Sequence, residues 1–374
     1  MTGSPPTQPP DDSTDPAEIS TEPPSEQPRV IDSSQVALGA LVFVATLVLL
    51  LGIASVWTRG GRGPGTSPTG SAVGTLSASP SIPASPTATP EVTSPSPSAA
   101  SPSASATPAP VAVLVGAGDI GDCSTRDDTA TAALLDDIEG TVFTAGDNAY
   151  ENGTAKEFAT CYDETWGRHK PRTRPAPGNH DWNTSGLRGY LGYFGDTARG
   201  EDGHTWYSYE LGAWHVIVLD SECSRVGGCG TDSPQGRWLA TDLAASEARC
   251  TVAIWHKPRF TSGEHGNDRS VAPFWNALYR AGVDVVVNGH DHDYERFAPQ
   301  DPSAREDRER GIREFVVGTG GTPLRTFEKP VANSELRAAV VHGVFKLTLR
   351  EASYDWQFIP VSGEFHDGGT AFCH

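Results

Sequence analysis

The sequence predicts an α/β fold in which two mixed β-sheets stack and helices flank them. Short apolar runs at residues 111–116, 141–145, into Pro177, 251–255 and 283–287 feed polar or Gly-rich loops, the pattern of buried strands. The earlier half alternates such runs with helical segments at 127–139 and 270–281. After His292 the runs at 313–317, 344–349 and 354–361 follow one another with little helix between. Alternation followed by strands suits stacked sheets covered by helices. Asp127 or Asp128 is placed to cap the first helix.

From the amino end, residues 1–35 are rich in Pro, Ser, Thr, Asp and Glu and nearly lack aromatics. They cannot bury enough apolar surface to offset their ordering entropy, so a disordered acidic tail is expected. Residues 36–57 then run for 22 positions without a charge. A spanning helix needs about 20. The run exceeds the roughly 7–15 apolar residues of a signal peptide and starts late. One transmembrane helix, an uncleaved anchor, is the reading; a cleaved signal and secretion is its rival. Arg29 precedes the run, whereas Arg59 and Arg62 follow it, a one-charge margin that by itself favours a cytoplasmic carboxyl side.

Residues 58–110 form a Ser/Pro/Thr/Ala-rich linker, which suits an extended spacer outside a cell. The remainder, 111–374, is one domain by length. It carries six cysteines, Cys123, Cys161, Cys223, Cys229, Cys250 and Cys373, none in a Cys-x-x-Cys pair. An even number suggests disulfides and an oxidising compartment, with free buried cysteines as the alternative. Cys223 and Cys229 bracket a Gly-rich loop and would close it locally, and Cys123 with Cys161 is the preferred second pair. Linker and cysteines together outweigh the one-charge margin and place the domain on the extracellular face of the membrane.

The net charge of −19 divides unevenly: eight acidic and three basic residues precede Val111, leaving −14 on the domain. An acidic domain argues against a long polyanion, so no nucleic-acid partner is expected.

The chemistry stands at the strand ends. In order, the motifs are Gly118-Asp119-Ile120-Gly121, Gly146-Asp147-Asn148-Ala149-Tyr150, Gly178-Asn179-His180-Asp181, Trp255-His256 and Gly289-His290-Asp291-His292. Loops at the carboxyl ends of strands are where α/β scaffolds carry function. Seven candidate ligands emerge: Asp119, Asp147, Tyr150, Asn179, His256, His290 and His292. One tetrahedral zinc takes about four. Seven suit two ions roughly 3.5–4 Å apart that share a carboxylate. Every donor is oxygen or imidazole nitrogen, which favours iron, manganese or zinc. A single Gly-Asp pair is only a turn and a single Gly-Asn-His a weak signal; the set of five in this order carries the reading.

These motifs resemble those of the calcineurin-like metallophosphoesterases, and specifically the purple acid phosphatase branch. The broad superfamily has Asp-x-His in its first motif, but here Gly121 stands two after Asp119. The purple acid branch compensates with a tyrosine three residues after the second aspartate, and Tyr150 is at that spacing. Ala253 departs from the valine usual in the fourth motif. The resemblance covers about residues 111–365 and implies a four-layer αββα sandwich. It implies that Asp119, Tyr150 and His292 hold a first metal, Fe(III). Asn179, His256 and His290 would hold a second, Fe(II), Zn or Mn, and Asp147 would bridge.

His180 would contact substrate and protonate the leaving alkoxide. His265, in the loop Thr261-Ser262-Gly263-Glu264-His265-Gly266, would support the phosphate or share that role. The implied activity is hydrolysis of a small phosphate ester by a metal-bound hydroxide, as in an acid phosphatase-like phosphomonoesterase. The alternatives are a phosphodiesterase or nucleotide/nucleotide-sugar hydrolase of the same superfamily, and, in a different class, a non-catalytic surface phosphate-binding protein. The aromatic stretch 182–209 either rims the pocket or packs as core.

Overall fold

The computed structural model describes Gly3 and residues 111–200 and 202–374. Apart from Gly3, the expected tail 1–35, membrane span 36–57 and linker 58–110 lie outside the described residues. Among the described residues, no helix is long and apolar enough to cross a membrane.

The apolar runs become strands. One sheet contains β1 (Ala112–Ala117), β2 (Thr141–Ala145), β3 (Thr173–Ala176), β11 (Gly343–Leu349), β12 (Ser353–Pro360) and β13 (Asp367–Phe372). The other contains β4 (Tyr207–Leu211), β5 (Trp214–Val218), β6 (Cys250–Ile254), β7 (Val285–Asn288), β8 (Tyr294–Phe297), β9 (Arg313–Val317) and β10 (Ser334–Ala338). Their orders are β13-β12-β11-β1-β2-β3 and β10-β8-β9-β7-β6-β5-β4. Strands β1, β2 and β3 run parallel, as do β5, β6, β7 and β9. The remaining pairings are antiparallel, so both sheets are mixed.

Leu114, Phe143 and Phe345 of the first sheet share one buried cluster with Val216, Val252 and Phe315 of the second, so the sheets pack face to face. Burying side chains of this size contributes about 1.5–3 kcal/mol each. Helix α1 (Asp128–Asp136) is followed by the short α2 (Ala155–Glu157) and by α3 (Arg188–Phe194). Val115 and Val142 on the first sheet's outer face meet Leu135 of α1 and Tyr190 of α3. Helices α4 (Pro234–Ala245) and α5 (Ala272–Ala281) cover the second sheet, where Ile217 and Val286 meet Leu239 and Trp275. Two mixed sheets with helices on their outer faces agree with the sandwich expected.

Several local readings change. Neither Asp127 nor Asp128 caps α1: Asp127 makes no side-chain cap bond. Asp128 is buried, and its Oδ2 instead accepts from Thr165 Oγ1 at 2.7 Å. Helix α4 and the β4–β5 hairpin were not foreseen. α4 buries only Gln235 and Leu239, too little for a clear apolar stripe. The aromatics of 182–209 are largely core, with Tyr190, Phe194, Trp206 and Tyr207 buried. All six cysteines pair: Cys123–Cys161, Cys223–Cys229 and Cys250–Cys373. Both pairs preferred from sequence are present, and the third ties β6 to the residue after β13.

Candidate metal centre

The centre forms where strand ends of both sheets meet. The N–H of Gly118, just past β1, donates to Val317 O of β9 in the other sheet at 3.0 Å. Beyond this junction Asp119, Asp147 and His290 adopt left-handed backbone, with φ of 61°, 50° and 74°. For residues other than Gly such conformations cost about 1–3 kcal/mol each and persist only where the surroundings enforce them. Hydrogen bonds do so here. Asp119 Oδ2 accepts the His290 N–H at 2.8 Å. Asp147 Oδ1 accepts the His180 N–H at 2.8 Å. Each carboxylate thus commits one oxygen to backbone and turns the other inward. At Gly178 a Cβ would lie 2.2 Å from Asp147 Oδ1, so only glycine lets this loop approach.

The inward atoms fall into two overlapping groups. In the first, Tyr150 Oη donates to Asp119 Oδ1 at 2.7 Å and lies 3.1 Å from Asp147 Oδ2. His292 Nε2 lies 3.4 Å from both Tyr150 Oη and Asp119 Oδ1. In the second, His256 Nε2 lies 3.1 Å from Asp147 Oδ2 and from Asn179 Oδ1, and 3.2 Å from His290 Nδ1. Asp147 Oδ2 is common to both groups. All seven residues singled out in the sequence therefore come together.

The outer ring nitrogens fix the ring orientations. His256 Nδ1 donates to Ala145 O at 2.8 Å and His292 Nδ1 to Pro323 O at 3.0 Å, which turns each Nε2 toward the centre. Charge is concentrated. Burial opposes ionisation of Asp147, yet the adjacent His256 holds its carboxyl below the usual carboxylate range. Burial disfavours a charged His256, but Asp147 outweighs it and pushes the imidazole up to about 10. Burial and the charges of Asp119 and Asp147 raise the Tyr150 phenol well above its ordinary value. A phenolate there needs a strongly positive neighbour, which a trivalent ion supplies. Asp147, His256 and His290 offer ligand atoms within 4.8 Å of one another. The donor set fits metal ions by type and by convergence.

His180 sits at the rim, its side chain 26% exposed. Nδ1 donates to Glu151 O at 2.7 Å, and Nε2 lies 4.0 Å from Asp147 Oδ2. The His265 ring centroid lies 4.1 Å from that of His290. The structure adds three residues not singled out before. Buried Asp181 accepts N–H bonds from Gly178 at 2.9 Å and Asn148 at 3.2 Å, tying the second and third motifs together; burial, then Asp147, pushes its carboxyl up to about 7. Asp291 accepts from His265 Nδ1 at 2.9 Å, and Arg325 Nη1 lies 3.0 Å from His265 Nε2. Both aspartates stand inside the motifs; Arg325 stands in none and has no sequence signal.

Residues 110–294 match the family model described as calcineurin-like phosphoesterase. This domain belongs to the calcineurin-like phosphoesterases, in the purple acid phosphatase-like branch. Purple acid phosphatase 22 of Arabidopsis thaliana is 32% identical over 172 residues, 40% of this chain and 36% of that protein. An uncharacterized protein of Mycobacterium tuberculosis is 29% identical over 223 residues, 48% of this chain and 42% of that protein. The matches thus span less than half the length of these relatives. The structure of purple acid phosphatase PPD1 from yellow lupin (Lupinus luteus) seeds shares the fold, with a TM-score of 0.57 at 19% identity over 70% of this chain and 54% of that one. Tyr150, whose spacing underlies the resemblance to the purple acid branch, is the residue that links the two inward carboxylates.

Proposed function

We propose that the domain hydrolyses small phosphate esters at a dinuclear metal centre, as an acid phosphatase-like phosphomonoesterase. The observation that carries this reading is the shared oxygen: Asp147 Oδ2 lies 3.1 Å from both Tyr150 Oη and His256 Nε2, one from each donor group. Asp119, Tyr150 and His292 would hold Fe(III); Asn179, His256 and His290 would hold Fe(II), Zn or Mn; Asp147 would bridge. Bound metals lower the pKa of water and neutralise phosphoryl oxygens.

The chain's own part is positioning and proton supply. Asn179 and the His180 N–H bond to Asp147 place His180 beside the shared carboxylate, its ring centroid 4.5 Å from that of Tyr150. Its Nδ1 is engaged by Glu151 O, so Nε2 can give a proton to the leaving oxygen only from the doubly protonated ring.

Three disulfides and the 58–110 linker support a catalytic domain outside the cell, held to the membrane by residues 36–57. The experiment is metal analysis of the full-length chain with a panel of phosphate mono- and diesters. Two metals per chain and preferred turnover of monoesters are expected. Preferred turnover of diesters or nucleotide sugars favours the alternative hydrolase reading. Two metals and phosphate binding with no turnover of any ester leaves a surface phosphate-binding protein.

A further inference from the structure

Arg325 lies outside every motif yet reaches the rim of the centre. Its backbone N–H donates to His292 O at 3.0 Å, and its guanidinium Nη1 lies 3.0 Å from His265 Nε2. A guanidinium only donates, so His265 Nε2 is the acceptor and carries no proton. The opposite nitrogen, Nδ1, donates to Asp291 Oδ1 at 2.9 Å, and the same oxygen takes the His265 backbone N–H at 3.0 Å. Asp291 is itself fixed: it is 1% exposed, and Oδ2 takes the Thr261 hydroxyl at 2.6 Å. Gly263 admits it, because a Cβ there would lie 2.3 Å from Asp291 Cγ. Carboxylate, neutral imidazole and guanidinium therefore form a chain with one direction of donation.

The end of that chain is an underused cation. The Arg325 side chain is 37% exposed, and among the described residues its only carboxylate within ion-pair range is Glu264, at 3.7 Å. Its remaining N–H donors have no hydrogen-bond partner there. The His265 ring lies over His290, in the second donor group, while the Arg325 backbone is fastened to His292, in the first. The guanidinium is thus held beside the centre by residues attached to both groups. A planar fork of N–H donors matches phosphoryl oxygens.

We infer that Arg325 is a substrate-binding residue that donates to a non-bridging phosphoryl oxygen, and that His265 positions it rather than giving a proton. The inference rests on the phosphate-ester reading of the centre. It leaves His180 as the proton donor and makes the second histidine a strut whose Nε2 is already occupied.

The test uses full-length, metal-loaded protein, with calorimetric binding of inorganic phosphate read beside metal content and ester turnover. Arg325→Gln is expected to keep both metals and weaken phosphate binding by about 10–100-fold, the usual range for a lost charge-assisted hydrogen bond. kcat/KM should fall by the same factor for alkyl and activated aryl monoesters, since both present the same phosphoryl oxygens. Arg325→Lys should restore part of the loss. His265→Ala should weaken phosphate binding without leaving-group dependence, and the double variant should be no worse than Arg325→Gln alone. Undiminished phosphate affinity or loss of metal in Arg325→Gln overturns the inference. So does a His265→Ala defect confined to alkyl esters, the mark of a proton donor. If the wild type binds phosphate through Arg325 yet hydrolyses no ester, the hydrolase reading falls and the assignment of Arg325 stands.

Discussion

Tyr150 Oη donates to Asp119 Oδ1 at 2.7 Å, joining the loop after β2 to the loop after β1. Two carboxylates and burial hold this phenol protonated, so only a strongly positive ion makes it a ligand. Iron-loaded full-length protein is expected to be coloured by tyrosinate-to-ferric charge transfer, and Tyr150→Phe to lose the colour. Visible absorption beside iron analysis checks it. A colourless wild type with full iron occupancy would count against ferric tyrosinate.

Asp147→Asn should weaken both ions together, because the one oxygen faces both donor groups. The affinity loss should reach at least about 100-fold, the upper end of what removing even a supporting residue costs. Turnover should vanish with it. Metal analysis after dialysis decides: retention of two ions with ordinary turnover contradicts a shared carboxylate.

His180→Ala should keep both ions and lose about 10²–10⁴ in turnover, the range for general acid catalysis. The loss should be worst for alkyl phosphates, whose leaving oxygen needs a proton, and mild for activated aryl phosphates. Steady-state kinetics on the two ester types separates a proton donor from a phosphate-binding group, for which the losses would be equal.

Away from the centre, His215 is buried between Glu210 and Asp242, with Nδ1 2.7 Å from Glu210 Oε1 and Nε2 2.8 Å from Asp242 Oδ2. Burial opposes its charge, but hydrogen bonds to Asp242 and Glu210 raise its pKa above the usual 6.5. A histidine raised on folding adds stability that is complete below its unfolded pKa and lost as pH rises through the folded one. His215→Gln should therefore destabilise the protein by roughly 1–3 kcal/mol at about pH 5, and by less at about pH 9. Urea melts at both pH values test this; an equal loss at both shows that the ring is neutral.

The ligands were readable because their signal is local. An apolar strand, a glycine that permits the turn and an Asp, Asn or His next to it occupy a few consecutive residues, as in Gly146-Asp147 and Gly289-His290. The same holds for Cys223 and Cys229, six residues apart. The strands β1, β2 and β7 were legible since a buried strand is written in its own composition. Helix α4 was not, because only Leu239 and Gln235 of it are fully buried, with Trp238 and Leu243 half-buried beside them, which leaves no clear apolar stripe.

What tertiary structure decided is distance across the chain. His265 and Arg325 are 60 residues apart, Cys250 and Cys373 are 123, and His215 finds Asp242 only because α4 crosses the hairpin. Whether His265 Nε2 is free to give a proton or engaged by a guanidinium depends on where the loop after β9 comes to rest. That resting place is set by the packing of β9 against β7 and by the bond from Arg325 N–H to His292 O. A pattern of residue types records which side chains stand near a strand end; only the packed sheets determine which distant loop meets them there.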